Sequence, residues 1–130
     1  MSLLRTTLCL LLLLPLISVS AQNDIGSRIK LTIESGDAIS MAKHFNKSID
    51  LTTPNVDNTV SQNHATQVLK NFFSKYPPTS FTINHDGNSN DGSLYIIGTY
   101  KSGTNTFRVY ILLRKDPEKY KIFQLQFEEK

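Results

Sequence analysis

The second half of the sequence contains four strand-like segments joined by short turns, and this pattern limits the possible folds most strongly. The strand-like segments span residues 80–86, 93–101, 106–115 and 119–128. The connections are rich in glycine, asparagine, aspartate and proline, and span residues 87–92, 102–105 and 116–118. Short connections of this composition typically join antiparallel strands into hairpins. We therefore expect an antiparallel meander in this half of the chain.

The first half has the apolar spacing of helices. Ile25, Ile29 and Ile33 are four residues apart, so residues 24–35 are predicted to form a helix that ends at Gly36. Asp37 is suited to cap a second, short helix over the residues that follow it. Segment 48–53 alternates apolar and polar residues and predicts a strand, whereas segment 54–59 is predicted to be a loop.

Ser61 is suited to cap the clearest helix of the sequence. Its apolar positions follow at i, i+3, i+4, i+7 and i+8, and they are Ala65, Val68, Leu69, Phe72 and Phe73. Two prolines at 77 and 78 end this helix. The predicted order is helix, helix, strand, helix and four strands. This order indicates an α+β domain in which N-terminal helices pack on one face of a curved antiparallel sheet.

Strand alternation predicts which side chains face the helices. In segment 106–115 the residues of one parity are wholly apolar: Phe107, Val109, Ile111 and Leu113. We expect this set to face the core. By the same rule, three further sets are predicted to point inward: Phe81, Ile83 and His85; Tyr95, Ile97 and Thr99; and Phe123, Leu125 and Phe127.

The amino terminus has the three parts of a secretory signal peptide. Arg5 is followed by an apolar run over residues 8–17 and by small residues that end at Ala21. The alternative is an uncleaved anchor, but the run is shorter than the roughly 20 residues that span a bilayer. We predict a signal peptide at 1–21, one exported domain at 22–130 in the periplasm or outside the cell, and no membrane span after cleavage. Cys9, the single cysteine, would leave with the signal, which excludes thiol and disulfide chemistry.

The charge pattern argues against a nucleic-acid partner. The chain has 14 basic and 11 acidic residues, and no basic run is longer than Arg114-Lys115. Nucleic-acid binding requires a clustered basic patch, so the basic residues are interpreted as a solvated surface.

Four runs of the sequence resemble a domain-of-unknown-function family of exported Bacteroidetes proteins. They are residues 34–38 (ESGDA), 69–78 (LKNFFSKYPP), 95–99 (YIIGT) and 106–110 (TFRVY). The order of elements resembles the cystatin-like α+β cone of the nuclear transport factor 2-like superfamily. The resemblance covers essentially the whole mature chain and implies that fold. That superfamily holds isomerases, dehydratases, transport adaptors and binding modules, so the resemblance does not select a function.

Catalytic and metal-binding patterns are weak. Isomerases of the superfamily use a carboxylate base with a tyrosine and a protonated acid, which converge on the substrate. Asp50 is the only acid of the first predicted strand, and it alternates with Ile49 and Leu51, so we expect it to be solvated. His44, His64 and His85 have no metal-ligand spacing. No metal or cofactor is predicted.

Two surfaces are candidates for binding. An inward set at the mouth of the cone is predicted to line a ligand pocket: Phe81, His85, Tyr95, Thr99 and Phe107. An outer sheet face is predicted to form an interface, because tyrosine and arginine are typical of interface centres: Tyr100, Arg108, Tyr110, Leu112, Arg114 and Gln124.

These surfaces lead to three functional hypotheses. The first is an exported, non-catalytic binding module that takes a small ligand in the cone, or an envelope protein or second copy on the sheet. The alternative is an isomerase- or dehydratase-like enzyme that uses His85, the one weak catalytic candidate, with Tyr95 in a deep pocket. The third is a structural component of the cell envelope.

Overall fold

The computed structural model describes Pro15 and residues 21–130, with side chains from residue 25 onward. The predicted signal peptide lies outside the described residues, apart from Pro15 and the backbone of Ala21. The described chain contains three helices and six strands. They are α1 (Ala21–Ser35), α2 (Ala38–Ala42), β1 (Phe45–Thr53), β2 (Val56–Ser61), α3 (Gln62–Lys75), β3 (Ser80–Asn88), β4 (Leu94–Ser102), β5 (Asn105–Lys115) and β6 (Tyr120–Glu129).

The six strands form one sheet in the order β2-β1-β6-β5-β4-β3. Strands β3 to β6 form the predicted antiparallel meander, with each strand paired to the next. Strand β1 pairs antiparallel with β2 and parallel with β6. The α+β class with helices on one face of the sheet is confirmed, and the parallel β1–β6 pair makes the sheet mixed.

Strand β2 is the one element that the sequence analysis did not predict. It forms a hairpin with β1, and the pair Thr53 and Val56 leaves Pro54 and Asn55 as a two-residue turn. Only Val60 of this strand is buried. The prediction of a loop over 54–59 was wrong because an edge strand with so few buried side chains lacks a clear apolar alternation.

The caps and the core of the helices follow the sequence pattern. The carboxylate of Asp37 accepts a hydrogen bond from the Ser40 backbone N–H at 3.0 Å, and the Ser61 hydroxyl accepts one from the His64 N–H at 3.2 Å. The helices bury Ile33 and Leu69 completely. They pack against the predicted apolar face of β5, whose four residues are all 0% exposed: Phe107, Val109, Ile111 and Leu113. Among the described residues, the buried apolar side chains run in sequence from Ile29 to Phe127.

The prediction of which β4 side chains point inward was wrong. Tyr100 pairs with Phe107, and Ile96 pairs with Ile111. Residues directly opposite each other on neighbouring strands point to the same face of a sheet, so Tyr100 and Ile96 point into the core. Tyr95, Ile97 and Thr99 therefore lie on the outer face. The prediction that placed Tyr100 on the outer face was wrong for the same reason.

Two β-bulges account for the other misplaced side chains. In β3 the pairing shifts between Ile83 and His85, so that His85 pairs with Ile97 and joins the outer face. In β6, Gln124 pairs with Leu112 but Ile122 pairs with Leu113. The extra residue there is Phe123, which is half-buried. One extra residue reverses the alternation beyond it, and alternation alone does not reveal where this happens.

Candidate functional site

The interior of the cone is filled by aromatic side chains. The ring of Phe72 on α3 is the centre of this cluster, with its centroid 4.5 Å from that of Phe127 and 5.2 Å from that of Phe107. Phe107 is 0% exposed and Phe81 is 3% exposed. The ring of Phe81 also covers Gly98, where an added Cβ would lie 2.6 Å from it. Two of the five predicted pocket residues are thus packing residues of the core.

Tyr100 is the fully buried tyrosine of this cluster. Its hydroxyl donates a hydrogen bond to the backbone carbonyl of Tyr76 at 2.5 Å. Burial raises the pKa of the Tyr100 phenol well above its usual range, so the hydroxyl remains a donor at neutral pH. Because Tyr100 is 0% exposed, it is not available to an interface in the folded chain.

The other three predicted pocket residues lie on the outer sheet face. His85 Nε2 and the Tyr95 hydroxyl are 3.0 Å apart and share a hydrogen bond. The Thr99 hydroxyl donates to the side-chain oxygen of Asn84 at 2.7 Å. His85 is exposed. The predicted ligand pocket is therefore divided between the two faces of the sheet, and its five residues do not come together.

The His85–Tyr95 hydrogen bond is the feature that the enzyme hypothesis required, but its surroundings differ from those expected. That hypothesis placed the bond in a deep pocket, where loss of water strengthens interactions with developing charge. The exposed imidazole of His85 instead lies beside solvent on β3. Tyr95 covers Gly87, where an added Cβ would lie 2.7 Å from the tyrosine hydroxyl oxygen. This cross-strand packing accounts for the position of the ring.

The outer face of β4 and β5 carries a group of apolar side chains that remain partly exposed. Tyr95 pairs directly with Leu112, and Ile97 pairs directly with Tyr110. All four side chains are of intermediate burial, and we call them the outer patch. Three of the predicted interface residues flank or form it. Arg108 is exposed, and Tyr110 and Leu112 belong to the patch itself.

Polar side chains of β6 border the outer patch. Gln126 pairs with Tyr110, and Gln124, another predicted interface residue, pairs with Leu112. Arg108 pairs with Glu128. A cleft of about 150 Å³ is lined by Arg108, Tyr110, Gln126 and Glu128. Arg114 lies with its guanidinium carbon 5.2 Å from the centre of the Phe123 ring. The border of the patch thus contains both positively and negatively charged side chains.

A second surface feature was missed in the sequence analysis. A cleft of about 370 Å³ lies between α1, the turn before β1 and the turn before β6. Its charged side chains are mostly cationic, and we call it the basic cleft: Arg28, Lys43, His44, Glu118, Lys119 and Lys121. Burial, together with the nearby charges of Arg28 and Lys43, lowers the pKa of His44 below its ordinary value. The only signal in the sequence is local, since Lys119 and Lys121 are two residues apart and Lys43 directly precedes His44.

The sequence of residues 27–128 matches the model of a family described as a domain of unknown function, DUF4783. The chain belongs to the DUF4783 family. A DUF4783 protein of known structure from Bacteroides uniformis is 25% identical to it, with a TM-score of 0.76. The match covers 82% of this chain and 97% of that one. None of the curated proteins matches the chain in sequence.

More distant structures show the fold alone. A cystatin-fold protein from Novosphingobium aromaticivorans is 9% identical, with a TM-score of 0.63 over 84% of this chain and 98% of that one. An NTF2-like protein of unknown function from Shewanella baltica is 12% identical, with a TM-score of 0.62 over 84% and 90% of the two chains. The predicted domain-of-unknown-function family is confirmed, and so is the predicted NTF2-like, cystatin-like fold.

The described part of this DUF4783 domain holds neither a metal-ligand cluster nor a helix that could span a membrane. Across the described residues, histidine, cysteine, aspartate and glutamate side chains do not gather in groups of three that would hold a metal ion. Of the helices described, none has the length and apolar character needed to cross a bilayer.

Proposed function

We propose that this DUF4783 domain is an exported, non-catalytic protein-binding module, and that it binds through the outer patch. The observation that carries the proposal is the pair of directly opposed contacts, Tyr95 with Leu112 and Ile97 with Tyr110, on the sheet face opposite the helices. Four partly exposed apolar side chains are thereby held side by side. The signal-like pattern of residues 1–21 supports export.

The composition of this face favours a protein partner. Interface centres are enriched in tyrosine and depleted in charge, and their borders are polar. The outer patch contributes two tyrosines, and Arg108, Glu128 and the glutamines of β6 surround it. Pairing on strands also fixes the four apolar side chains before binding, which lowers the entropy cost of ordering them in a complex.

The partner we propose is a second copy of the chain. A twofold interface places the same surface of both copies in contact, so it needs a surface that complements itself. Arg108 and Glu128 lie side by side on neighbouring strands. A twofold axis through the patch can therefore bring the Arg108 of each copy to the Glu128 of the other.

The interior is a less favourable place for a ligand. Phe72, Phe107 and Phe127 pack ring against ring there, and the Tyr100 hydroxyl is already bonded to the Tyr76 carbonyl. A ligand entering the cone would have to displace these contacts. Binding at the outer patch needs no such rearrangement.

Sedimentation velocity of the mature chain, residues 22–130, tests the proposal. At tens of micromolar the wild-type chain is expected to sediment as a dimer. Leu112→Ala removes the apolar centre of the patch and should shift the chain to a monomer. Leu31→Ala is the matched control, because Leu31 is an exposed leucine on α1, 64% exposed, away from the sheet. This control should remain a dimer.

The outcomes separate clearly. A wild-type chain that stays monomeric throughout the concentration range would rule out the second copy as the partner. A dimer that survives both Leu112→Ala and Tyr110→Ala would place the contact elsewhere on the molecule. Thermal unfolding of each variant distinguishes loss of association from loss of folding.

A further inference from the structure

Folding gathers cationic side chains that are far apart in the sequence. Arg28 comes from α1, Lys43 from the turn after α2, and Lys119 and Lys121 from the beginning of β6 and the turn before it. The sequence analysis interpreted these residues as scattered surface charges. In the folded chain they line one cleft of about 370 Å³.

Backbone hydrogen bonds hold the walls of this cleft together. The Ile122 N–H donates to the carbonyl of His44 at 2.7 Å and fastens the turn before β1 to the beginning of β6. The Asp116 N–H donates to the carbonyl of Lys119 at 2.9 Å and closes the turn between β5 and β6. The positions of Lys43, His44 and Lys119 are therefore set by the sheet.

The charge of the cleft is strongly unbalanced. Among the described residues, four cationic side chains and one carboxylate, Glu118, line it, and these five side chains have a net charge of +3. The whole chain also has a net charge of +3, so this one cleft carries as much net positive charge as all 130 residues together. Among the described side chains, no carboxylate forms an ion pair with Lys43, Lys119 or Lys121, since the ion pair found there joins Lys30 and Glu34.

His44 lies in the same cleft. Its imidazole is half-buried between the cationic side chains. Burial and the charges of Arg28 and Lys43 lower its pKa. An anion that enters the cleft offsets this excess of positive charge. Its opposite charge favours the charged form of the cationic groups.

We propose that the basic cleft binds the phosphate group of a phosphomonoester. A phosphate monoester carries up to two negative charges and several acceptor oxygens near pH 7, which suits one guanidinium and three ammonium groups. The cleft is also larger than a phosphate group alone. Ile25 and Tyr120 line it as well, and they offer an apolar surface to the carbon part of the ester.

Isothermal titration calorimetry of the mature chain with glycerol 3-phosphate tests the site. Binding is expected at low ionic strength and should weaken as salt is added. The double variant Lys119→Gln with Lys121→Gln should weaken binding about tenfold or more, because hydrogen bonds to charged groups are among the stronger polar contacts. The control is Lys47→Gln with Lys70→Gln, which makes the same change in net charge outside the cleft and should bind as the wild type does.

A second arm identifies the source of the phosphate group. Flotation with phosphatidylcholine vesicles, with and without phosphatidic acid, detects a lipid headgroup of the same chemistry. Binding of the soluble ester supports a free metabolite, and binding of phosphatidic acid vesicles alone supports a lipid. Either must be lost in the Lys119 and Lys121 variant. No binding in both arms, or binding that the two double variants reduce equally, would overturn the proposal. Neither result bears on the outer patch, because the cleft shares no residue with it.

Discussion

The hydroxyl of Tyr100 donates a hydrogen bond to the backbone carbonyl of Tyr76, and the two oxygens are 2.5 Å apart. Tyr76 is the C-cap of α3, and its N–H bonds to the Phe72 carbonyl. The last carbonyls of a helix have no partner within the helix. Tyr100, from the second strand of the meander, supplies one and so joins the end of α3 to β4, the strand next to the edge strand β3.

The first prediction concerns this bond. Tyr100→Phe keeps the buried ring and removes the donor, so the Tyr76 carbonyl loses its partner. We expect a loss of about 1 kcal/mol in the free energy of unfolding, measured by urea denaturation. Tyr110→Phe is the control, since it makes the same chemical change on the half-exposed outer patch. Equal stability of the two variants would show that the bond contributes nothing.

The second prediction concerns the close packing of β3 on β4. A Cβ added at Gly98 would lie 2.6 Å from the ring of Phe81 and 2.7 Å from the backbone oxygen of Thr82. Gly98→Ala should therefore destabilise the chain by about 1–3 kcal/mol. At Gly26 in α1 the nearest atom is 4.0 Å away, so Gly26→Ala should be neutral or stabilise by up to about 1 kcal/mol. Thermal unfolding compares the two, and a harmless Gly98→Ala would contradict the packing described.

The third prediction tests the cap of α3. The Ser61 hydroxyl accepts the His64 N–H at 3.2 Å, and Ser61→Ala removes that acceptor. The expected cost is about 1 kcal/mol in the free energy of unfolding. Ser74→Ala, at an exposed position near the end of the same helix, should be neutral or slightly stabilising because alanine favours helix. Chemical denaturation of both variants checks the difference, which should vanish if the cap is not formed.

The elements that could be predicted from the sequence are those whose apolar residues fall on one face only. The spacing of Ile25, Ile29 and Ile33 identified α1. In β5 every second residue is apolar, and this alternation identified the core face. In β4 both parities are apolar, with Leu94 and Ile96 on one face and Tyr95 and Ile97 on the other. Only the register with β5 decides between them, and register is a property of the assembled sheet.

The candidate sites were less predictable for the same reason. The pocket prediction depended on the parity of β4 and on the absence of a bulge in β3, and both assumptions were wrong. The basic cleft depends on contacts between segments more than 70 residues apart, from Lys43 to Lys119. Charges that are scattered along a chain give no sign of the surface on which folding will gather them.

The last prediction uses the electrostatics of that cleft. The pKa of His44 is lowered below its ordinary value of 6.5 by burial first and by Arg28 and Lys43 next. Lys119 and Lys121 face the same cleft with positive charge, and Glu118 faces it with negative charge. Below pH 6.5 the unfolded chain therefore binds a proton at His44 more readily than the folded chain does. The stability that neutral His44 contributes is present above pH 6.5 and is lost as the pH falls toward the folded pKa.

Urea denaturation between pH 7.5 and pH 5 measures this effect. The free energy of unfolding of the wild type should fall more steeply over this range than that of His44→Gln, which has no proton to bind. His64→Gln, a change at an exposed position on α3, serves as the control and should keep the wild-type slope. Parallel slopes for the wild type and His44→Gln would mean that the cleft does not disfavour the imidazolium. The positive potential on which phosphate binding depends would then be absent at His44.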